Sequence, residues 1–176
     1  MKMKTRWFFA IVLLCLGALG VSQTTAASRD DDDVILRATL RGANEVPPIS
    51  TIATGSFAAT IHPSGAIDFK LTFANLSTNA IFSHIHFGQP NVAGGVMIFL
   101  CGGGGQPACP AATAGTVEGT ITAANVTGPT GQGIAPGDLT SALKAVAGGE
   151  GYVNVHSTKF PGGEIRGQVR VRRDDD

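Results

Sequence analysis

Three of the four histidines of this chain stand in two short β-like runs and could act together as ligands. His84 and His86 belong to "FSHIHFG", and His156 ends "YVNVH". Alternate residues of an extended strand project from the same face, about 7 Å apart, so His84 and His86 share one face. Neutral imidazole is a ligand that suits zinc or copper. The pattern therefore predicts a mononuclear metal site at His84, His86 and His156.

Other polar residues are predicted to lie on the same surface. Asn154 alternates with valines in "YVNVH", and Glu164 and Arg166 alternate with Ile165 in "EIRGQV". These two runs are expected to form a hairpin, which makes their polar faces coincide. If the strand of His84 joins that sheet, Glu164 converges with the three histidines. Asn154, Glu164 and Arg166 are therefore candidates for binding at this polar face.

A structural interpretation of the same residues stays open. Hydrogen-bonded or oppositely charged pairs across strands stabilise a sheet by about 0.2–1 kcal/mol each. The histidines and their polar neighbours could form such a ladder and bind nothing, or they could bind a ligand other than a metal. His62, in the turn "IHPSG", is expected to be an exposed turn residue. Glu45, in "GANEVPP", is expected to be solvated, with a position on the polar face as the alternative.

The first residues are typical of a secretory signal peptide. Lys2, Lys4 and Arg6 precede a short apolar run, and the small residues of "TTAAS" offer a cleavage site. The apolar run is shorter than the roughly 20 residues that cross a membrane. We expect residues 1–27 to be removed and the protein to be secreted, to the extracellular space or, in a bacterium, to the periplasm or cell surface. An uncleaved anchor is the alternative; after cleavage no membrane association is expected.

The charge distribution excludes one class of partner. Removing the three basic residues of the signal leaves ten basic and thirteen acidic residues. Aspartates crowd both ends, so we expect acidic tails at 28–33 and 174–176 around a single domain at 34–173. There is no basic stripe with interleaved aromatics, so nucleic acid is not an expected partner. The sequence leaves the oligomeric state open.

The cysteines of the mature chain are an even pair. Cys101 and Cys109 flank the flexible run "GGGGQPA", while Cys15 leaves with the signal. Two such thiols outside the cytosol usually join, so we predict a Cys101–Cys109 disulfide that pins a loop.

Short β-rich runs separated by turn signals predict an all-β domain. In "AIDFKLTFANL", Ile67, Phe69, Leu71 and Phe73 share one face, as in a half-buried strand. "GVMIFL" is apolar on both faces and is predicted to be central in its sheet. "PGDLTSALKAVAGG" has helical spacing, with Asp138 placed to cap the helix. We predict an antiparallel Greek-key β-sandwich of about eight strands with one short helix; a closed barrel is the alternative.

Three motifs resemble the CHRD domain, the module named after chordin. They are "ATLRGANEVPP", "SHIHFGQPNVAGGV" and "GEGYVNVHSTKFPGGEIRGQV", and the resemblance extends from about Ala38 to Val169. The resemblance implies a secreted module of a family common in bacteria, usually without an assigned activity. Chordin itself antagonises bone morphogenetic proteins outside the cell, but its cysteine-rich growth-factor-binding modules have no counterpart here, so that role is not transferred.

Two functions follow as hypotheses. The first is a secreted, non-catalytic binding or cell-surface module, whose partner would be an unidentified extracellular protein or ligand. The second is a copper- or zinc-binding protein that uses the three histidines. "HIHFG" also looks like the copper-ligand stretch of copper/zinc superoxide dismutase, but the chain has four histidines in all and no counterpart to that enzyme's bridging and zinc ligands. No nucleophile, paired-carboxylate or nucleotide motif is found, which favours a protein that is not an enzyme.

Overall fold

The structure, a computed structural model, describes residues 33–172. The predicted signal peptide and nearly all of the two acidic tails lie outside the described residues. The nine strands are β1 (Val34–Arg41), β2 (Thr54–Ile61), β3 (Ile67–Ala74), β4 (Ala80–Phe87), β5 (Gly95–Cys101), β6 (Gly115–Ile121), β7 (Gly151–Ser157), β8 (Ile165–Gln168) and β9 (Arg170–Val171). The helix α1 spans Leu139–Ala147, and short 3-10 turns lie at Gly42–Asn44, Ala123–Asn125 and Thr130–Gln132.

The strands form one antiparallel sheet in the order β5-β4-β7-β8-β1-β2-β3-β6, with β9 paired to β1. The all-β antiparallel prediction is therefore confirmed. Two four-stranded halves contribute to a single apolar core, and they join where Arg41 of β1 pairs with Arg166 of β8. The outer strands β5 and β6 also approach each other, so the sheet is nearly closed. The pairs β3–β6, β4–β7 and β8–β1 each bring together two strands that are not consecutive in the chain.

Alternation of apolar and polar residues fixes the inner face of the first half. In β3, Ile67, Phe69, Leu71 and Phe73 are all buried, and Asp68 and Lys70 between them are exposed. Phe57 of β2 stacks on Phe69 with ring centroids 6.4 Å apart. This half therefore has one face in the core and one face in water, as its period of two predicts.

The position of β5 differs from the prediction. The run "GVMIFL" was expected in the middle of its sheet, but β5 lies at an edge and pairs along its length with β4 alone. The segment that follows β6 covers its free side instead. Thr127 donates its backbone N–H to the carbonyl of Met97 at 2.9 Å, and Ile98 forms a bridge with Val126. A covering segment can thus make a strand apolar on both faces without a second neighbouring strand.

The predicted helix and its cap are present. The carboxylate of Asp138 accepts the backbone N–H of Ser141 at 3.0 Å, which satisfies one free donor of the first turn. Ala142 and Val146 are buried against the sheet. None of the helices that the structure describes is both long enough and apolar enough to span a membrane.

Cys101 and Cys109 form the predicted disulfide, with their Cα atoms 4.9 Å apart. The bond closes a glycine-rich ring directly after β5. Inside it, Gly102 donates its N–H to the carbonyl of Pro107, and Gln106 donates to that of Gly103. The ring is thereby held as a compact cover at the end of β5.

Strand β7 is buried on both faces. All seven residues from Gly151 to Ser157 are buried, although only Val153 and Val155 belong to the apolar core. Segments 88–94 and 158–163 lie over the other face, where they accept hydrogen bonds from His86, His156 and Arg166. The polar residues of β7 are therefore enclosed under loops and not presented to water.

A buried carboxylate joins three separate connections of the chain. Glu164 is fully buried and accepts hydrogen bonds from the hydroxyls of Thr51 (2.9 Å), Ser77 (2.8 Å) and Ser157 (2.5 Å) and from the backbone N–H of Ser77 (2.8 Å). Burial raises the pKa of Glu164, but the hydrogen bonds from Ser157, Ser77 and Thr51 outweigh it, so the pKa lies below its usual value. The ionised carboxylate ties the β1–β2 and β3–β4 connections to the β7–β8 turn.

We expect Glu164→Gln to lower the free energy of unfolding by about 3 kcal/mol, because an amide nitrogen cannot accept the bonds that a carboxylate oxygen accepts. Urea unfolding at pH 7 measures the change. The matched control is Glu118→Gln, whose carboxylate pairs with Lys70 at 2.6 Å while about 60% exposed; this change should cost less than about 1 kcal/mol. Equal effects for the two variants would contradict the role assigned to Glu164.

Candidate metal centre

The register of β4 and β7 places the three histidines on one face of the sheet. His84 is opposite Asn154, His86 is opposite Tyr152, and His156 is opposite Phe82. Residues directly opposite on antiparallel strands share a face, so alternation on both strands brings the three rings together. One ring nitrogen from each lies within 4.8 Å of the other two, and His84 Nδ1 is 3.1 Å from His156 Nε2.

Backbone carbonyls orient two of the three rings. His86 Nδ1 lies 2.9 Å from the carbonyl oxygen of Gly94, and His156 Nδ1 lies 2.8 Å from that of Pro161. A carbonyl oxygen only accepts, so Nδ1 carries the proton in both rings. A neutral imidazole has a single N–H, and therefore Nε2 of each ring presents a lone pair.

These lone pairs lie in polar surroundings that do not fully satisfy them. His156 Nε2 lies 3.1 Å from His84 Nδ1, which can donate to it, and 2.9 Å from Asn154 Oδ1, an acceptor that gives its lone pair no hydrogen bond. His86 Nε2 is buried and has no hydrogen-bond partner anywhere in residues 33–172. A buried acceptor without a donor costs about 1–3 kcal/mol. The cluster thus contains a basic nitrogen whose burial the protein itself does not compensate.

All three rings are held in the neutral form. Burial and the neighbouring rings of His156 and His86 lower the pKa of His84 to about 3. Burial lowers the pKa of His86 to about 4, although the Gly94 carbonyl and the nearby Asn154 side chain act in the opposite direction. Burial also lowers the pKa of His156, against the effect of the Pro161 carbonyl. The ring nitrogens of His84 and His86 therefore keep their lone pairs well below neutral pH.

Aromatic side chains enclose His84. The ring of Phe99 meets His84 edge to face with centroids 4.4 Å apart, and Phe82 stacks on it at 5.9 Å. Phe82 is 39% exposed, so it forms the outer rim of the cluster. These apolar walls limit the access of water to the nitrogens, which strengthens electrostatic effects inside.

The disulfide ring supports one of these walls. A methyl group added at Gly103 or Gly104 would lie 2.5–2.9 Å from atoms of Phe99, too close for a side chain. The glycines therefore let the backbone pack directly on the aromatic ring that touches His84. This contact connects the Cys101–Cys109 bond to the histidine cluster.

Arg166 is close to the cluster but is held by the protein's own groups. It is buried, and its Nη2 donates to the carbonyls of Gln89 and Val92, each at 3.0 Å. Its guanidinium carbon lies 3.4 Å from the ring centroid of Tyr152. Tyr152 in turn stacks on His86 with centroids 4.7 Å apart and planes 5° from parallel. Arg166 thus places a permanent positive charge behind a metal-ligand candidate.

Glu45 also belongs to this region, so the expectation that it is solvated is wrong and the alternative, that it reaches the polar face, holds. Its side chain is 6% exposed, and Oε1 is without a hydrogen-bond partner among the described residues. A methyl group at Gly163 would lie 2.5 Å from Glu45 Oε1 and 2.9 Å from Asn154 Nδ2, so both side chains crowd against this glycine. Burial raises the pKa of Glu45 to about 7, while the charge of Arg166 acts to lower it. One feature of the sequence could have indicated its burial: Glu45 is the only acidic residue of "RGANEVPP".

The structure separates Glu164 from the other polar-face candidates. Its partners include Ser157, which alternates with His156 and so lies on the opposite face of β7. Glu164 precedes β8, and the turn before it does not continue the alternation from which its facing was predicted. His62 also lies away from the cluster, in its turn between Asp33 (2.9 Å) and Asp68 (3.2 Å). Of the three polar-face candidates, Asn154 and Arg166 lie beside the histidines, and Glu164 does not.

The fold and the cluster define an antiparallel β protein with three imidazoles gathered on one enclosed face. The family model of the CHRD domain matches residues 36–169. The chain belongs to the CHRD domain family, which confirms the resemblance of its three motifs. Neither a curated protein nor a solved structure matches the chain.

The geometry is close to that of a coordination site but more open. Nitrogens about 2.0 Å from a tetrahedral ion lie about 3.3 Å from one another. The pair His84–His156, at 3.1 Å, fits this spacing, whereas the widest separation, within 4.8 Å, does not. Coordination by all three rings requires them to move inward, by a rotation of the side chains.

The depressed histidine pKa values predict an acid-sensitive fold. Unfolded histidine takes up a proton near pH 6.5, whereas the pKa values of folded His84 and His86 are about 3 and 4 and that of His156 is also lowered, so the unfolded state binds more protons below pH 6.5. In metal-free protein we expect the unfolding free energy to fall from pH 6.5 to 5 by about 1 kcal/mol for each of His84 and His86, with a further loss of the same sign from His156. Urea unfolding at fixed pH values measures this.

Glu45 should act in the opposite direction. Its raised pKa means that the folded state binds the extra proton between pH 7 and about 4.5, which adds stability as the pH falls. Glu45→Gln should therefore steepen the loss of stability between pH 6.5 and 5. A free energy of unfolding that is independent of pH in this window, in both proteins, would show that the rings titrate normally.

Proposed function

We propose that this chain is an extracellular CHRD-domain protein that binds one transition-metal ion, copper or zinc, through His84, His86 and His156. The observation that carries the proposal is the convergence of three neutral ring nitrogens within 4.8 Å of one another. The role is binding, not catalysis. The proposal is narrower than the general expectation of a binding module, because it names the ligand and the residues that bind it.

The outer hydrogen bonds of the cluster support this proposal. Histidines that bind metals almost always donate their second ring N–H to a carbonyl, a carboxylate or water, which fixes the tautomer and the ring orientation. His86 and His156 do so through the Gly94 and Pro161 carbonyls. A ladder that only stabilised the sheet would gain nothing from leaving His86 Nε2 buried and unpaired.

The donor set indicates which ions to expect. Imidazole suits zinc and copper, whereas magnesium and calcium prefer oxygen ligands. Three protein ligands leave at least one position of a tetrahedral ion for another molecule. Asn154, whose Oδ1 is 2.9 Å from His156 Nε2, could orient that molecule by accepting a hydrogen bond from it.

An extracellular location is supported by two features. The Cys101–Cys109 disulfide is of the kind that persists in oxidising compartments. The N-terminal pattern is that of a secretory signal. In such a location the protein meets metal ions without the competition of cytosolic thiols.

The test is metal analysis of mature protein that carries no histidine tag and has been stripped with chelator. After zinc or copper is offered and excess is removed, we expect one equivalent of metal per chain. His84→Ala, His86→Ala and His156→Ala should each weaken binding at least tenfold, since each removes a ligand. Isothermal titration calorimetry measures the dissociation constants.

His62→Ala is the matched control, because His62 is the one other histidine of the mature chain and lies outside the cluster. It should leave binding unchanged. Metal at 100 times its dissociation constant should also raise the unfolding free energy by about 2.7 kcal/mol. Less than one tenth of an equivalent of either metal on the wild-type protein would refute the proposal and favour the structural ladder.

A further inference from the structure

The charge around the histidine cluster distinguishes between ions of different valence. No carboxylate or thiolate of the residues described belongs to the cluster, which consists of three neutral imidazoles. The two cysteines nearest in the chain are joined to each other. An ion bound here therefore keeps its full charge, because no ligand neutralises it.

A fixed cation makes a high ionic charge still less favourable. Arg166, Tyr152 and His86 form a stack in which the guanidinium carbon is 3.4 Å from the tyrosine ring and the tyrosine ring is 4.7 Å from the histidine ring. The Gln89 and Val92 carbonyls hold the guanidinium in place. Arginine does not lose its proton in proteins, so this charge is present at every relevant pH.

The surroundings offset that charge only in part. Glu45 is the acid that acts on Arg166, and burial raises its pKa to about 7, so it is only partly ionised at neutral pH. Phe82 and Phe99 keep water from the His84 ring. In such an enclosed site the repulsion between like charges is larger than in water, and it doubles when the ion carries two charges.

We propose that the three-histidine site binds monovalent copper in preference to Cu²⁺ and Zn²⁺, and that the Arg166–Tyr152–His86 stack contributes to this preference. This inference rests on the proposed metal-binding function. Three imidazole nitrogens provide a low coordination number with uncharged donors, and a singly charged ion meets the smallest repulsion from Arg166. Divalent ions would need an anion in the open position to offset their second charge.

The experiment compares affinities in the mature chain with its disulfide intact. Cu⁺ is supplied under nitrogen with ascorbate as the reductant, and its dissociation constant is measured by competition with bicinchoninate. Cu²⁺ and Zn²⁺ are titrated without ascorbate against chelators of known affinity. Mass spectrometry checks that Cys101 and Cys109 stay joined. We expect Cu⁺ to bind at least 100 times more tightly than either divalent ion.

Two variants isolate the charge. Arg166→Met and Arg166→Lys both lose the planar fork that contacts the Gln89 and Val92 carbonyls, but only Arg166→Lys keeps the positive charge. Arg166→Met should tighten Cu²⁺ and Zn²⁺ binding about tenfold relative to Cu⁺, and Arg166→Lys should keep the wild-type ratio. Circular dichroism of each variant confirms the fold.

The outcomes separate the two proposals. If no metal binds the wild-type protein, the proposed function fails. If Zn²⁺ or Cu²⁺ binds as tightly as Cu⁺, metal binding stands and the preference for monovalent copper is overturned. If the ratio is the same in Arg166→Met and Arg166→Lys, the charge of Arg166 does not set it. The wild-type ratio decides the preference even if both variants fail to fold.

Discussion

The architecture of the site depends on one buried carboxylate. Glu164 gathers hydroxyl and backbone donors from connections that are far apart in the chain, and it fixes the turn that leads out of β7. The same turn carries the Pro161 carbonyl, which selects the tautomer of His156. A residue that lies on the opposite face from the histidines thus determines how one of them is presented. Its contribution is geometric, and it acts through the turn and not through contact with the cluster.

The enclosure of β7 explains how neutral imidazoles and a buried guanidinium can stand side by side. Loops cover the outer face of the strand, so each polar group there needs a partner from the protein. Backbone carbonyls are the partners of three of these side chains: Gly94 for His86, Pro161 for His156, and Gln89 and Val92 for Arg166. Carbonyls accept hydrogen bonds but carry no net charge, so they orient the rings without neutralising the cation. The result is a site rich in nitrogen donors and poor in negative charge.

Much of this could be predicted from the sequence, for physical reasons that differ by residue. Alternation fixed the facing of Phe69 and Leu71 in β3 and of His84 and His86 in β4, because the side-chain period of a strand is two. Cap chemistry located the start of α1 at Asp138. Glu164 was misplaced because a turn interrupts the alternation just before β8. The burial of Glu45 and the edge position of β5 depend on segments that fold over them from elsewhere in the chain, and local patterns carry no information about such long-range covering.

The two halves of the sheet differ in how freely their sequences can change. In β3 every second side chain lies in water, so Asp68 and Lys70 are under little steric constraint. In β7 no such position exists: a change at Val153 or Val155 alters the core, and a change at Asn154 or His156 alters the enclosed face. Evolutionary drift should therefore accumulate in the half formed by β1, β2, β3 and β6, while β7 retains its sequence. Strand β7 faces the apolar core on one side and the enclosed polar face on the other. A substitution in β7 therefore affects the stability of the fold and the geometry of the site together.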